Sequence, residues 1–449
     1  MHFSIPETQE QQDANGTAFT TFNIHINGMF HCSVRYSVLH TFHEQLKKEF
    51  GANQLPHFPP KKLFPLSPLK LDERRILLEK FVQIVSQDPK IANSDVFNGF
   101  LLSAQQETQK EASEDVVLDV YLMNGHKITV NIKSTDQTDD VLEAVASQID
   151  LPDDYVYYFG LFLVQKEVAG DNSIVRKLQE FESPFISLKY ANKSGTHRIV
   201  FRKSFWDLSY EDDLLENKIS MNLLYVQAVN DIERHWTLGS KEQLKHLSSL
   251  QSKGSKREYL RLARTLKYYG HLQFKPCVTD YPHPSSRAVI SVGNKEMNFR
   301  IQTAPNVIKE GNFRITRMRC WRITTCLSDS KEEIRNPSSP RLELAFEYLM
   351  AKDTLKWITI TSDQAILMSM CLQSVVDELI RKKQGKKIKR PQDRNKTVSA
   401  IRPLQRGDSY AGALSRQTSL PSPIEETPKS NGQSVIENNA FDTIGDDDL

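Results

Sequence analysis

Apolar periodicity runs along most of this chain and then stops near Lys383, and that break constrains what can fold. From residue 383 to 434, glycine, serine, proline and charge rise together, and no apolar face can be drawn. Such a stretch cannot bury enough apolar surface to offset its conformational entropy. The 449 residues therefore divide into a patterned body and a tail expected to be disordered. A body this long needs two to four cores rather than one. Hydrophobic residues, at 39%, suffice for such cores while sitting below a compact average, as a long polar tail requires.

Within the body the period changes repeatedly. Residues 18–33 predict two strands about Asn27-Gly28, a strong hairpin signal. Leu39, Phe42, Leu46 and Phe50 recur at helical spacing. Further helices are expected over 72–86 and over 94–106, the latter capped by Ser94. These close one core, and the polar run 105–114 predicts a linker. Residues 116–123 and 127–133 form a second hairpin about Asn124-Gly125. A helix over 136–148 follows, then strands at 159–164, 185–189 and 199–202. From 214 to 270 the spacing is helical, ended by Gly270. Strands return at 289–292, 297–301, 313–325, 342–348 and 357–360, and a last helix spans 363–382.

Several function classes are disfavoured. A net charge of +2 gives no global field for nucleic acid. The cysteines (Cys32, Cys277, Cys320, Cys326, Cys371) are scattered, odd in number and form no C-x-x-C, so buried thiols in a reducing compartment are expected rather than a disulfide frame or zinc site. The start of the chain is polar and no apolar run approaches the roughly 18 residues of a membrane span. A cytoplasmic protein that touches membranes from the cytosolic face is expected. There is no G-x-G-x-x-G, H-E-x-x-H or G-x-S-x-G. His40 and His43 stand three apart without further ligands, and the acidic doublets Asp139-Asp140, Asp153-Asp154 and Asp212-Asp213 suit helix starts or solvent. No catalysis, cofactor or metal is expected.

Residues 24–81 carry the most chemistry. Arg35-Tyr36-Ser37 is followed by Leu55-Pro56-His57-Phe58-Pro59-Pro60-Lys61, then by Arg74 ahead of Ile76-Leu77-Leu78-Glu79. Separated basic points, an aromatic wall and a stiff proline loop suit a small ligand with several phosphates, because guanidinium forks grip phosphate oxygens in pairs and proline holds a loop in shape beforehand. This order resembles the phox-homology (PX) domain, with Val34 where the family usually has a second basic residue. The resemblance implies binding of phosphatidylinositol 3-phosphate. Arg35 would hold the 3-phosphate, Tyr36 would stack under the inositol ring beside Ser37, Lys61 would meet the 1-phosphate, and Arg74 the 4- and 5-hydroxyls.

The hairpin–helix–strand order, the helical stretch, and the strand-rich region closed by one helix together resemble a FERM module. Joined to a PX domain, the chain resembles the PX-FERM sorting nexins. The implied architecture is an α+β multidomain protein: PX at 1–108, a ubiquitin-like lobe at 115–205, a helical lobe at 206–270, a PTB/PH-like lobe at 271–382 and a disordered tail at 383–449. The resemblance further implies a non-catalytic adaptor, monomeric, peripheral on early endosomes. Asn-Pro-x-Tyr or Asn-Pro-x-Phe signals in receptor tails, such as those of lipoprotein receptors and integrin beta chains, would add as a strand along residues 314–323. Arg317, Arg319 and Trp321 would meet the peptide, with Met370 and Val376 from the facing helix. Alternation places Trp321 on one face with Arg317 and Arg319, so an accessible face is expected. Ile444, Gly445, Asp446, Asp447, Asp448 and Leu449 would engage the Retriever assembly of the Commander complex, sending cargo to the plasma membrane and away from lysosomes. Asn438-Asn439-Ala440-Phe441 is a degenerate Asn-Pro-x-Phe, so the tail is expected to compete for its own groove. The alternative, a FERM-type membrane–cytoskeleton linker, lacks its long helical region and basic actin-binding end.

Overall fold

The computed structural model describes residues 1–13, 15–62, 65–166, 172–193, 195–304, 307–326, 341–352, 354–386, 388 and 435–437. The first unit is built on strands β1 (Phe3–Ser4), β2 (Thr8–Gln12), β3 (Ala18–Ile26) and β4 (Met29–Arg35), with β3 pairing antiparallel to the other three. The β3–β4 turn has φ of 51° at Asn27 and 81° at Gly28, the two positive values that a tight hairpin with matching twist needs. Helices α1 (Tyr36–Phe50), α2 (Pro68–Gln87), α3 (Pro89–Ala92) and α4 (Asp95–Gln109) complete it. Phe22, Ile24, Leu39, Phe42, Phe81, Phe97 and Leu101 form its core. Strands β1 and β2 carry no apolar alternation and were not expected. Contacts from α2 help fix them: Glu79 accepts the Ile5 N–H at 2.6 Å and Arg75 donates to the Ile5 carbonyl at 2.6 Å.

The first half of the linker expected at 105–114 is helix. Helix α4 continues to Gln109, and Gln105 is only 3% exposed. Its amide donates to Ser187 Oγ at 3.0 Å and accepts the Ser183 N–H at 2.9 Å, so both ends of a buried amide are satisfied. Around it lie a buried Arg176–Glu182 ion pair, a Phe30–Tyr190 stack at 4.8 Å, and His31 edge-on to Phe181.

The second unit comprises β5 (Asp115–Tyr121), β6 (Lys127–Lys133), α5 (Thr138–Gln148), α6 (Asp153–Val156), β7 (Phe159–Lys166), β8 (Asn172–Lys177), α7 (Pro184–Ala191) and β9 (His197–Lys203). The sheet order is β6-β5-β9-β7-β8, with β5 and β9 parallel. Residues 185–189, expected as a strand, form α7 instead. Ser183 accepts the Ile186 N–H and Pro184 occupies the first turn, a start signal that outweighs a short apolar run whose period is ambiguous. The third unit is helical: α8 (Tyr210–Leu214), α9 (Lys218–Glu233), α10 (Lys241–Ser252) and α11 (Lys256–Ala263).

The fourth unit contains β10 (Leu272–Gln273), β11 (Cys277–Thr279), β12 (Ser286–Gly293), β13 (Glu296–Ala304), β14 (Val307–Arg314), β15 (Met318–Cys326), β16 (Arg341–Ala351), β17 (Thr354–Thr361) and α12 (Ala365–Lys383). The strand expected over 313–325 is two strands. Strand β14 ends at Arg314, a 3-10 turn occupies Ile315–Arg317, and β15 follows. Buried Phe313 and Ile315 keep the core continuous through that turn. The sheet runs β14-β13-β12-β11-β17-β16-β15-β18, where β18 is Val435–Glu437 from the tail. That segment departs from the expected disorder. Residues 389–434 and 438–449 lie outside the described residues.

Candidate functional site

The phosphate-type residues meet where β4, α1, α2 and the proline loop converge. Arg35 ends β4 and Tyr36 opens α1. The Tyr36 hydroxyl donates to the Pro59 carbonyl at 2.8 Å. The Arg74 guanidinium lies 4.2 Å from the centre of the Tyr36 ring and donates to the Pro60 carbonyl at 3.2 Å. One aromatic ring thus ties the loop to both helices. Phe58 stacks on His43 at 4.6 Å and pins the loop from below. The Arg35 guanidinium rests 3.3 Å from the centre of the Phe19 ring. Among the described residues, no carboxylate stands at ion-pair distance from Arg35, Lys61 or Arg74. Arg75, by contrast, is engaged by Asp72 at 2.7 Å and by the Ile5 carbonyl. Ser37 and Lys61 are exposed. Burial pushes the Tyr36 phenol up, with Arg74 pulling it back, so the ring stays neutral. Cations free of carboxylates around a neutral aromatic wall can grip phosphate oxygens in pairs.

The peptide-type residues gather at β15 and α12. Strand β18 pairs antiparallel with β15, with Cys320 opposite Glu437, Trp321 opposite Ile436, and Arg322 opposite Val435. The edge of β15 therefore already carries an added strand. Trp321 does not share an open face with Arg317 and Arg319. Arg317 lies in the 3-10 turn, and a bulge between Met318 and Cys320 breaks the alternation. Trp321 is 0% exposed, beside a buried Cys320, and its indole donates to Ser369 Oγ at 2.9 Å. Arg319 is 51% exposed and ion-paired with Glu347. Arg317 donates to the Met350 carbonyl at 3.1 Å. Met370 is half-buried and lines the same cleft as Ile436. Val376 belongs to the lobe's core rather than to an open wall. Ser369 and His2 were not singled out from the sequence. His2 Nε2 lies 2.7 Å from Ser369 Oγ across 367 positions, a contact that no local pattern announces. Ile444 to Leu449 fall outside the described residues.

Family models match along the chain in this order: a PX domain over residues 22–104, the F1 lobe of the sorting nexin 17/27/31 FERM domain over 116–206, the F2 lobe of the sorting nexin 17/31 FERM domain over 207–267, and the sorting nexin 17 FERM C-terminal domain over 270–380. Sorting nexin-17 of Danio rerio is 48% identical over 483 residues, and that of Homo sapiens 48% over 471, each alignment covering 100% of both chains. The chain belongs to the PX-FERM sorting nexins. Sorting nexin-31 of Homo sapiens is more distant, at 35% over 429 residues, covering 94% of this chain and 96% of that one. In this PX-FERM sorting nexin the cationic site lies in the PX domain and the strand-accepting edge in the third FERM lobe, F3. Among the described residues no helix is long and apolar enough to cross a membrane, and no cluster of metal-ligand side chains occurs.

Proposed function

We propose that this PX-FERM sorting nexin is a non-catalytic adaptor on early endosomes. The PX site takes phosphatidylinositol 3-phosphate, with Arg35 on the 3-phosphate, Tyr36 under the inositol ring beside Ser37, Lys61 on the 1-phosphate and Arg74 on the 4- and 5-hydroxyls. The F3 edge takes Asn-Pro-x-Tyr or Asn-Pro-x-Phe signals from receptor tails, including lipoprotein receptors and integrin beta chains. One observation carries the second half: β15 accepts an extra antiparallel strand from the chain itself. Backbone bonds along such an edge give affinity and alternate side-chain pockets give specificity. A cargo peptide in the register of β18 puts an apolar residue at the place of Ile436, in the cleft that Met370 also lines. Its following residues run past Arg319 toward Arg317.

Occupation by β18 makes the tail a competitor for cargo. Displacing it would free Ile444 to Leu449 for the recycling assembly, Retriever within Commander, and return cargo to the plasma membrane. The test titrates an Asn-Pro-x-Tyr peptide into the full chain by calorimetry. Met370→Asp is expected to abolish binding, and Ile436→Asp to tighten it. Wild-type affinity in Met370→Asp would show that peptides bind elsewhere. In parallel, Arg35→Ala is expected to lose binding to vesicles carrying phosphatidylinositol 3-phosphate.

A further inference from the structure

The start of the PX domain reaches into the F3 lobe behind the strand-accepting edge. His2 is held at the β3–β4 turn by two hydrogen bonds: its N–H donates to the Asn27 side-chain Oδ1 at 3.0 Å, and the Asn27 N–H donates to its carbonyl at 2.8 Å. The turn itself presses on α12, since a Cβ placed on Gly28 would stand 3.1 Å from Ile366 Cδ1. The His2 ring then meets Ser369, a fully buried residue of α12, with Nε2 2.7 Å from the hydroxyl oxygen. The same hydroxyl receives the Trp321 indole N–H at 2.9 Å, and Trp321 is the residue of β15 opposite Ile436.

An indole nitrogen only donates, so the Ser369 oxygen accepts from Trp321. The hydroxyl keeps its proton and a second lone pair, so His2 Nε2 completes the relay as acceptor in one tautomer and as donor in the other. Burial pushes the His2 imidazole down to about 3, in keeping with a neutral ring. Turning the Trp321 ring would strand a buried donor, so the relay holds that ring in one orientation. Asn27, Ile366, Met370 and Ile436 also line one continuous cleft of about 1530 Å³, so the PX turn and the added strand face a common space.

We propose that the strand-accepting site is built from two domains, with His2 of the PX domain acting as a positioning residue that sets Trp321, through Ser369, beneath the bound strand. The proposal rests on the groove reading above. Peptide affinity should then depend on PX residues that touch no peptide atom.

The experiment uses the full chain carrying Ile436→Asp in every arm, because a tail strand weakened by the same change would mask the effect by competing less. An Asn-Pro-x-Tyr peptide is titrated by calorimetry, and the indole N–H resonance of Trp321 is followed in nitrogen-15-labelled protein. His2→Phe and Ser369→Ala should each weaken binding about fivefold and move the Trp321 resonance. The double variant should be no weaker than either single one, since the pair acts as a unit. His2→Gln, whose amide offers both a donor and an acceptor within reach of Ser369, should recover most of the affinity. Thermal melting and binding to vesicles carrying phosphatidylinositol 3-phosphate report whether the PX domain is intact, and Ser369→Ala carries the test if His2→Phe does not fold. Affinity within about twofold of the parent with an unmoved resonance, while Met370→Asp still abolishes binding, would overturn the relay and leave the groove standing. Retained binding in Met370→Asp would overturn the groove and the relay together.

Discussion

The cationic PX site and the F3 edge are assembled in opposite ways. The first draws Arg35, Tyr36, Lys61 and Arg74 from one short run of sequence and leaves its charges without carboxylate partners among the described residues. The second draws Trp321, Ser369, Ile436 and, behind them, His2 from across the chain, and its edge is already paired. On the proposed function, one site would take its ligand directly while the other would have to exchange one strand for another. Substitutions in the first should read out directly as lost affinity. Those in the second should appear either as lost lobe stability or as a shifted competition.

The sharpest break of that comparison is at its aromatic residues. Trp321→Ala should cost about 3–5 kcal/mol of stability in the F3 lobe, because it opens a cavity in a fully buried position. Tyr36→Ala, at a half-buried position, should cost far less fold stability and act mainly on lipid. Denaturant unfolding of both variants measures this, and a loss under about 1 kcal/mol in Trp321→Ala would contradict a core role.

Acid should strike the joint between the PX domain and F1. Burial pushes His31 down to about 4, with Glu182 opposing, Nε2 on the Leu101 carbonyl also opposing, and Arg176 adding to the fall. The native ring is neutral, while the unfolded ring takes a proton below its ordinary value near 6.5. Stability is therefore lost as pH falls from 6.5 toward 4, on the order of 3 kcal/mol for this group. His31→Gln should flatten that part of the pH–stability curve, and an unchanged curve would remove the joint from the account.

Arg35→Ala comes next. Loss of a charge-assisted fork is worth about 1.5–3 kcal/mol, at least tenfold in vesicle affinity, with peptide affinity unchanged. Vesicle co-sedimentation equal to wild type would refute the phosphate assignment. The smallest effect is expected from the competing strand. Ile436→Asp should tighten cargo binding several-fold, about 1 kcal/mol, and equal isotherms would show that β18 does not compete.

What was legible in the sequence follows the same division. Arg35-Tyr36-Ser37, the loop ending at Lys61, and Arg74 are close in sequence, so their spacing survives into the fold. The helical lobe and both hairpins were equally plain, because period is local, but the second hairpin is not the primed turn expected about Asn124-Gly125: it has a longer loop in which Gly125 alone takes a positive φ. Three features escaped, each for its own reason: tertiary burial, a local helix start and a bulge. Gln105 looked like linker but is buried between Ser183 and Ser187. Residues 185–189 looked like a strand until Ser183 and Pro184 started a helix. Trp321 looked exposed because a bulge cannot be counted from alternation. The His2–Ser369 contact had no signal at all.

Gln105 has one more consequence. With that amide locked between two serines, the PX domain is not a tethered anchor but part of the frame that holds the groove. Once the headgroup is held, the height of β15 above the bilayer is set by the protein and not by a linker's reach. On the proposed reading, such an adaptor would work as a ruler. A receptor would then qualify by the length of chain between its membrane span and its signal as much as by the signal itself.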